Sequence, residues 1–445
     1  MINDLVADAF EVITLPGERV FDKVAAYGAA YEAYLRSLDV WKTLPSDKRE
    51  LYGNKVVQYL DAIGTPDPSR DETLRGGRRY SILTKEIEAQ VNRERSFQLL
   101  SLEEFEANSS LLELLEHLEN SKQIRDMYKL RKLTTGTAKN AGITDEQARI
   151  LKSCMRQGRD LFQAGRTGTL MIKPLVWFYS LTSYAYACII LNHVSRYSID
   201  TFANSHGLNY LPSEIRTQFG GSVKQGTFSD LFFSFPTFAH KDPRVDFAQS
   251  NEDSLLAFQD LRITSGCGTL FSLLPELRDY YALLTGKPSR VHPLDIIQTS
   301  EGRGVKWEFQ IGDGQSLPDL ATVDKSFLGS PRTVRQGKVI VSVSATELYK
   351  ISAMIYTDAG GNFWYVDNPF HPVVLPELCV HFLLMNAFSN IMRYRPGDWG
   401  DVLLNEVDSD LFLLIRKYFS TFEIKVPILL LRSLSKFNPV IAGFY

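Results

Sequence analysis

Residues 174–195, PLVWFYSLTSYAYACIILNHVS, contain no Asp, Glu, Lys or Arg across 22 positions. A helix of that length can cross a bilayer. The other stable place for a helix that is apolar nearly all round is the middle of a large domain, covered on every side. Pro174, Ser180, Thr182, Ser183, Tyr184, Tyr186, Asn192 and His193 raise the cost of insertion into lipid. The stretch is therefore expected to be a central core helix and not a membrane span. Several other elements must then pack around it, and a chain of 445 residues with 44% apolar composition can supply them in two or three domains.

Charge and cysteine usage narrow the partners and the compartment. A formal net charge of -3 provides no global basic field for nucleic acid or for an anionic membrane surface. Cys154, Cys188, Cys267 and Cys379 are widely separated, with no C-x-x-C pair and no closely spaced His. That pattern indicates neither a zinc site nor a disulfide framework and suits reduced thiols in a cytoplasmic protein. The first residues, MINDLVADAFEVITLPGERV, carry acids early and lack the basic start and apolar run of a signal peptide. No metal site and no cofactor are expected, because G-x-G-x-x-G, G-x-x-x-x-G-K-[ST] and H-E-x-x-H are all absent.

Periodicity sets the organisation. Val20, Val24, Tyr27, Tyr31, Tyr34 and Leu38 mark one face of a first helix, and residues 64–80, rich in Pro, Gly and charge, read as a surface loop. Ser110 with Glu113 and Thr144 with Gln147 match capping boxes and place two helix starts, the second helix ending near Gly165. After residue 300, KWEFQIG, KVIVSVSA and MIYTDAGGNFWYVD alternate or cluster β-branched and aromatic residues, the last as a hairpin about Gly360 and Gly361. Helix resumes at Pro376, with Leu378, Phe382, Met385, Phe388 and Met392 on one side. The expected fold is mainly α, with a helical N-terminal part and a helical core interrupted by a small antiparallel β unit. Its parts are residues 1–140, then 141–300, a β-rich insertion at 301–370, and C-terminal helices at 371–445 that complete the core.

The blocks RQGRDLFQAGRTGTLMIKPLVWFYSLTSYAYACIIL, HGLNY, GTFSDLF, LFSLLPELRDYY and LLMNAFSNIMRYRPGDW, in that order over about 145–400, resemble the YaaC-like protein family of bacteria. The resemblance implies a bacterial, cytosolic, mainly helical protein and brings no established reaction with it.

The polar residues inside those blocks are mostly basic or hydrogen-bonding. Lys173, His193, Arg196, His206, Arg393 and Arg395 would form an anion pocket if the helices bring them together, since Arg offers a planar donor fork to phosphate or carboxylate and Lys a point charge. Thr227, Asp230 and Trp399 accompany them, and Gly207 would let backbone approach closely beside His206. Asn386, Asn390 and Arg393 form a polar stripe on the C-terminal helix, and Glu377 and His381 share a face there as a solvated or interfacial pair. The apolar face of that helix should pack on the 174–192 helix, bringing HGLNY and RYRPGDW to one end of the pair, with Arg393 or Arg395 in reach of residues 193–210.

Two further features carry chemistry in principle. Cys267 in SGCGTL reads as a loop thiol, with no base or orienting residue signalled in sequence to make it a nucleophile. Lys122, Arg125, Lys129 and Lys132 share one helical face, a geometry that could follow a phosphate backbone. The close Arg-then-His spacing of HEPN ribonucleases is missing, with nine residues between Arg196 and His206 and one between Arg290 and His292. The expectation is a binding module that senses a phosphate-bearing anion or docks a protein partner, in stress response or phage defence, with no assigned catalytic residue. A nucleic-acid-processing enzyme and a structural scaffold are the alternatives.

Overall fold

A helix with no polar face has to be covered, and in the computed structural model it is. The structure describes residues 98–125, 143–192 and, apart from short breaks, 202–442. The chain divides into two compact units, Met1–Ser96 with Ser121–Arg149, and Phe97–Asn120 with Ile150–Tyr445. The expected first helix and the 64–80 loop lie outside the described residues.

The order begins with β1 (Gln98–Glu103), α1 (Ala107–His117), α2 (Asp145–Thr167) and α3 (Lys173–Asn192), the helix that holds the charge-free stretch. Next come β2 (Asn209–Leu211), β3 (Arg216–Phe219), α4 (Thr227–Phe233), β4 (Thr237–Asp242), β5 (Val245–Ser250), α5 (Glu252–Asp260), β6 (Ile263–Gly266), α6 (Cys267–Phe271) and α7 (Arg278–Thr285). A strand-rich stretch holds β7 (Val291–Glu301), β8 (Gly304–Ile311), α8 (Leu320–Ser326), β9 (Arg332–Arg335), β10 (Lys338–Ser344), β11 (Met354–Thr357) and β12 (Phe363–Val366). The chain closes with α9 (Glu377–Tyr394), α10 (Pro396–Leu403), α11 (Ser409–Leu434) and β13 (Phe437–Ala442).

Helices and strands both make up a large share of the described residues, the strands falling in four sheets, so the architecture is mixed α/β. The expectation of a mainly α protein is corrected accordingly. Strands of three or four residues such as β2, β3 and β6 are too short to show alternation, and their sheet exists only because the chain returns to it from distant points.

Helix α3 packs most extensively on α9 and also on α4 and α11, and 78% of its most apolar window is buried. Trp177 stacks on Phe422 at 4.9 Å and meets Phe419 edge-on at 5.4 Å, while Phe178 meets Phe382 of α9 at 5.3 Å. Its serine and threonine hydroxyls find partners, Ser180 donating to the Gly158 carbonyl at 2.6 Å and Thr182 to that of Phe178 at 2.9 Å. This is the environment of a core helix. Gly165 does not end α2, which runs on to Thr167. A Cβ there would stand 2.3 Å from the Trp177 indole nitrogen, so the glycine serves to let α2 lie close on α3.

Thr144 and Gln147 form the expected capping box, the Thr144 amide donating to Gln147 Oε1 at 3.0 Å and the Gln147 amide to Thr144 Oγ1 at 3.1 Å. Ser110 is no cap, because α1 starts at Ala107. The β unit is one antiparallel sheet in the order β11-β12-β7-β8-β10-β9. Val339, Val341 and Val343 turn inward from β10 onto Phe309, Phe327 and Tyr365. Its hairpin pairs Met354 with Val366 and turns at Gly361, whose φ of 85° lies in the left-handed region. At the edge of the second unit, β1 and β13 pair in parallel, Gln98 opposite Phe437 through Glu103 opposite Ala442. Arg432 of α11 holds β13 by donating to Asn438 Oδ1 at 2.5 Å and the Pro439 carbonyl at 3.3 Å.

Candidate anion-binding site

The site is assembled from the short sheet β2-β3-β6 and the C-terminal half of α9, which packs on β2, β3 and α6. Register places Tyr210 opposite Thr217 and Thr217 opposite Ser265, so three hydroxyl side chains stand in a row on one face. Phe219, two residues beyond Thr217 and on the same face, packs on Phe228 at 5.5 Å, and Phe228 packs on Phe382 of α9 at 5.9 Å. The hydroxyl row therefore looks inward, toward α9. Along α9 the stripe that starts at Phe382 continues through Asn386, Ser389 and Arg393, turning from apolar to polar as it nears the helix end.

His206 enters from the segment between α3 and β2. The Thr227 amide donates to the Ser205 carbonyl and the Phe228 amide to the His206 carbonyl, each at 3.0 Å, which pins the segment to the start of α4. Gly207 does allow a close backbone approach, and the partner is Gly226, where a Cβ would lie 2.2 Å from the Gly207 nitrogen. The imidazole meets Phe178 edge-on at 4.8 Å, and its Nδ1 is buried with no hydrogen-bond partner. Burial, reinforced by the nearby positive charge of Arg393, lowers its pKa and favours the neutral ring.

Arg393 donates to the Ser389 carbonyl at 3.2 Å and Asn390 Oδ1 at 3.3 Å, and its guanidinium lies 5.0 Å from the Tyr394 ring centroid. These partners are neutral, and no carboxylate among the described residues forms an ion pair with it. Tyr210 lies in the same electrostatic neighbourhood. Burial raises its pKa first, Arg395 pulls it back, and Asp398 and Cys267 push it up. The meeting of HGLNY with RYRPGDW is thus realised, with Arg393 acting on His206 and Arg395 on Tyr210.

The other sequence-derived residues fall elsewhere or are already engaged. Lys173 pairs with Glu423 of α11 at 2.8 Å and lies 4.6 Å from the Trp177 ring centroid, so its charge is neutralised. Arg395 is exposed and bonded to Asp398 at 3.0 Å. His193 and Arg196 lie outside the described residues, as do Lys129 and Lys132 of the basic face, where Lys122 is exposed and Arg125 pairs with Asp145. Cys267 is not in a loop. It opens α6 directly after β6 and is buried, which brings it near Tyr210.

A second polar constellation, at the opposite end of α9, went unread in sequence. Lys425 of α11 is fully buried and stands 2.9 Å from Glu276 Oε1 and 3.1 Å from Glu377 Oε1, while also donating to the Thr357 carbonyl. Glu377 and His381 are therefore not a solvated pair. Burial raises the Glu377 carboxyl to about 8, with Lys425 pulling it down and Glu276 pushing it up. Burial and Lys425 together lower His381 to about 3, and its Nδ1 lies 3.2 Å from the Tyr418 hydroxyl. The available signal was a lone Lys in the run TFEIKVPILLL and a lone Glu in SLLPEL, since unpaired charges are rarely buried. Among the described residues no group of three or more His, Cys, Asp or Glu is placed to hold a metal ion.

Fold and site define a mixed α/β protein built round a largely buried helix, with polar chemistry at both ends of the helix that packs on it. The model of the YaaC-like protein family matches residues 113–434, most of the chain, and the chain belongs to that family. Comparisons with curated proteins and with solved structures find no match to it.

Proposed function

We propose that this YaaC-like protein is a binding module for a small phosphate-bearing anion, held at the C-terminal end of α9. The observation that carries this reading is Arg393, a half-buried guanidinium whose partners among the described residues are all neutral and whose charge reaches His206, a residue with an unpartnered buried Nδ1. A guanidinium in that position retains free donors and net charge for a bidentate anion. A neutral imidazole adds a donor or acceptor without a second charge, which suits recognition better than proton transfer. Four buried thiols, none in a disulfide, support a cytoplasmic setting.

The test is calorimetric titration of the full chain with inorganic phosphate, comparing wild type with Arg393→Met. Methionine keeps much of the packing of the stem and removes the charge. Affinity is expected to fall by about 10- to 100-fold, the usual worth of a hydrogen bond to a charged group, with little change in Tm. No binding by the wild type, or a large loss of Tm with affinity unchanged, overturns the reading.

A further inference from the structure

This inference rests on the phosphate reading and concerns what else the ligand carries. The two faces of the sheet β2-β3-β6 treat their polar groups differently. On the outward face Gln218 donates to Thr264 Oγ1 at 3.1 Å and accepts from Arg262 at 2.7 Å, so that row satisfies itself in solvent. On the inward face Thr217 is wholly buried and its hydroxyl has no partner. The Tyr210 hydroxyl, opposite it, is also buried and unpartnered, and Ser265 reaches only the carbonyl of the adjacent Gly266, at 3.4 Å. Buried hydroxyls in folded proteins are normally paired, so unpaired ones beside a charged site call for an explanation.

We propose that Tyr210, Thr217 and Ser265 form a specificity row for the body of the ligand, and that the ligand is a phosphate monoester of a sugar or a similar polyol. Each hydroxyl both donates and accepts, so the complementary surface is one that presents hydroxyls of its own. Strand spacing sets neighbouring members of the row about 4.8 Å apart, the scale of a sugar ring. The phosphate sits at Arg393, beside His206, and the ring lies along the row toward Cys267. A site built to hydrogen-bond ligand hydroxyls discriminates strongly, because a ligand without them leaves the protein groups unpaired.

Calorimetry on the full chain with two probes, inorganic phosphate and glucose 6-phosphate, separates this inference from the reading beneath it. The wild type is expected to bind glucose 6-phosphate at least about tenfold more tightly than phosphate. Thr217→Val and Tyr210→Phe should each reduce affinity for the sugar phosphate by about fivefold or more and leave phosphate binding within about twofold. Thr217→Val should hold or raise the Tm of the free protein, since it removes an unpaired hydroxyl at nearly constant shape. Phosphate binding with no preference for the sugar phosphate overturns the specificity row alone. Equal losses for both probes in the two variants assign the row to structure and overturn it as well. If the wild type binds neither probe, the phosphate reading falls and the row falls with it.

Discussion

Replacing Lys425 with Met tests whether the buried ion cluster holds the second unit together. The ammonium is inaccessible to solvent, and each carboxylate beside it has a side-chain exposure of 4%. Removing it leaves the Glu276 carboxylate buried without its cation, beside a Glu377 carboxyl that burial keeps protonated up to about pH 8. Breaking a buried pair by deleting one partner typically costs ~3–5 kcal/mol, and that is the loss expected at about pH 7. Urea titration reads the effect, and adding Glu276→Gln to the Met variant should recover most of it. A loss under about 1 kcal/mol, or no recovery on adding Glu276→Gln, would refute the view that Lys425 neutralises a buried acidic group.

Two more outcomes follow from the geometry. The Glu377 carboxyl, raised from 4.5 to about 8, keeps its proton in the folded state after the unfolded chain has released it. Its contribution to stability is therefore complete below pH 4.5 and lost as pH climbs toward 8. Glu377→Gln should flatten that slope in pH-dependent thermal melts, and an unchanged slope would place the titration elsewhere. Gly226→Ala puts a methyl against the backbone of His206 and Gly207. It should cost about 2–3 kcal/mol and weaken phosphate binding through displacement of His206; wild-type stability would contradict the close approach.

The parts of the fold that could be read in advance are those whose signal is local and repeated. Helix α3 was legible from its lack of charge, α9 from its apolar spacing after Pro376, and the 354–366 hairpin from two aromatic runs about a glycine pair. The approach of His206 to Arg393 was also legible, because two apolar helices of similar length had to find each other. The strands β2, β3 and β6 were not, since three or four residues carry no period and their pairing is a tertiary event. Nor was the specificity row, which depends on register between Tyr210, Thr217 and Ser265. Lys425 gave no sign of its partners because its acceptors arrive from chain segments far away, at Glu276, Thr357 and Glu377. A polar residue's role in a core is set by what the fold delivers to it, and single-chain periodicity does not contain that information.

The parallel pairing of β1 with β13 has a mechanical consequence. The two strands run the same way, and the rest of the second unit lies between them in sequence. A force applied to the chain before Gln98 and after Ala442 would draw the strands in opposite directions along their shared axis. The ladder would then bear the load in shear, with its hydrogen bonds strained together instead of peeled one at a time. The family match ends at residue 434, before β13 begins, and starts at 113, after β1 ends. The pair thus lies outside the matched region, and load applied at Gln98 and Ala442 would meet it as a ladder in shear.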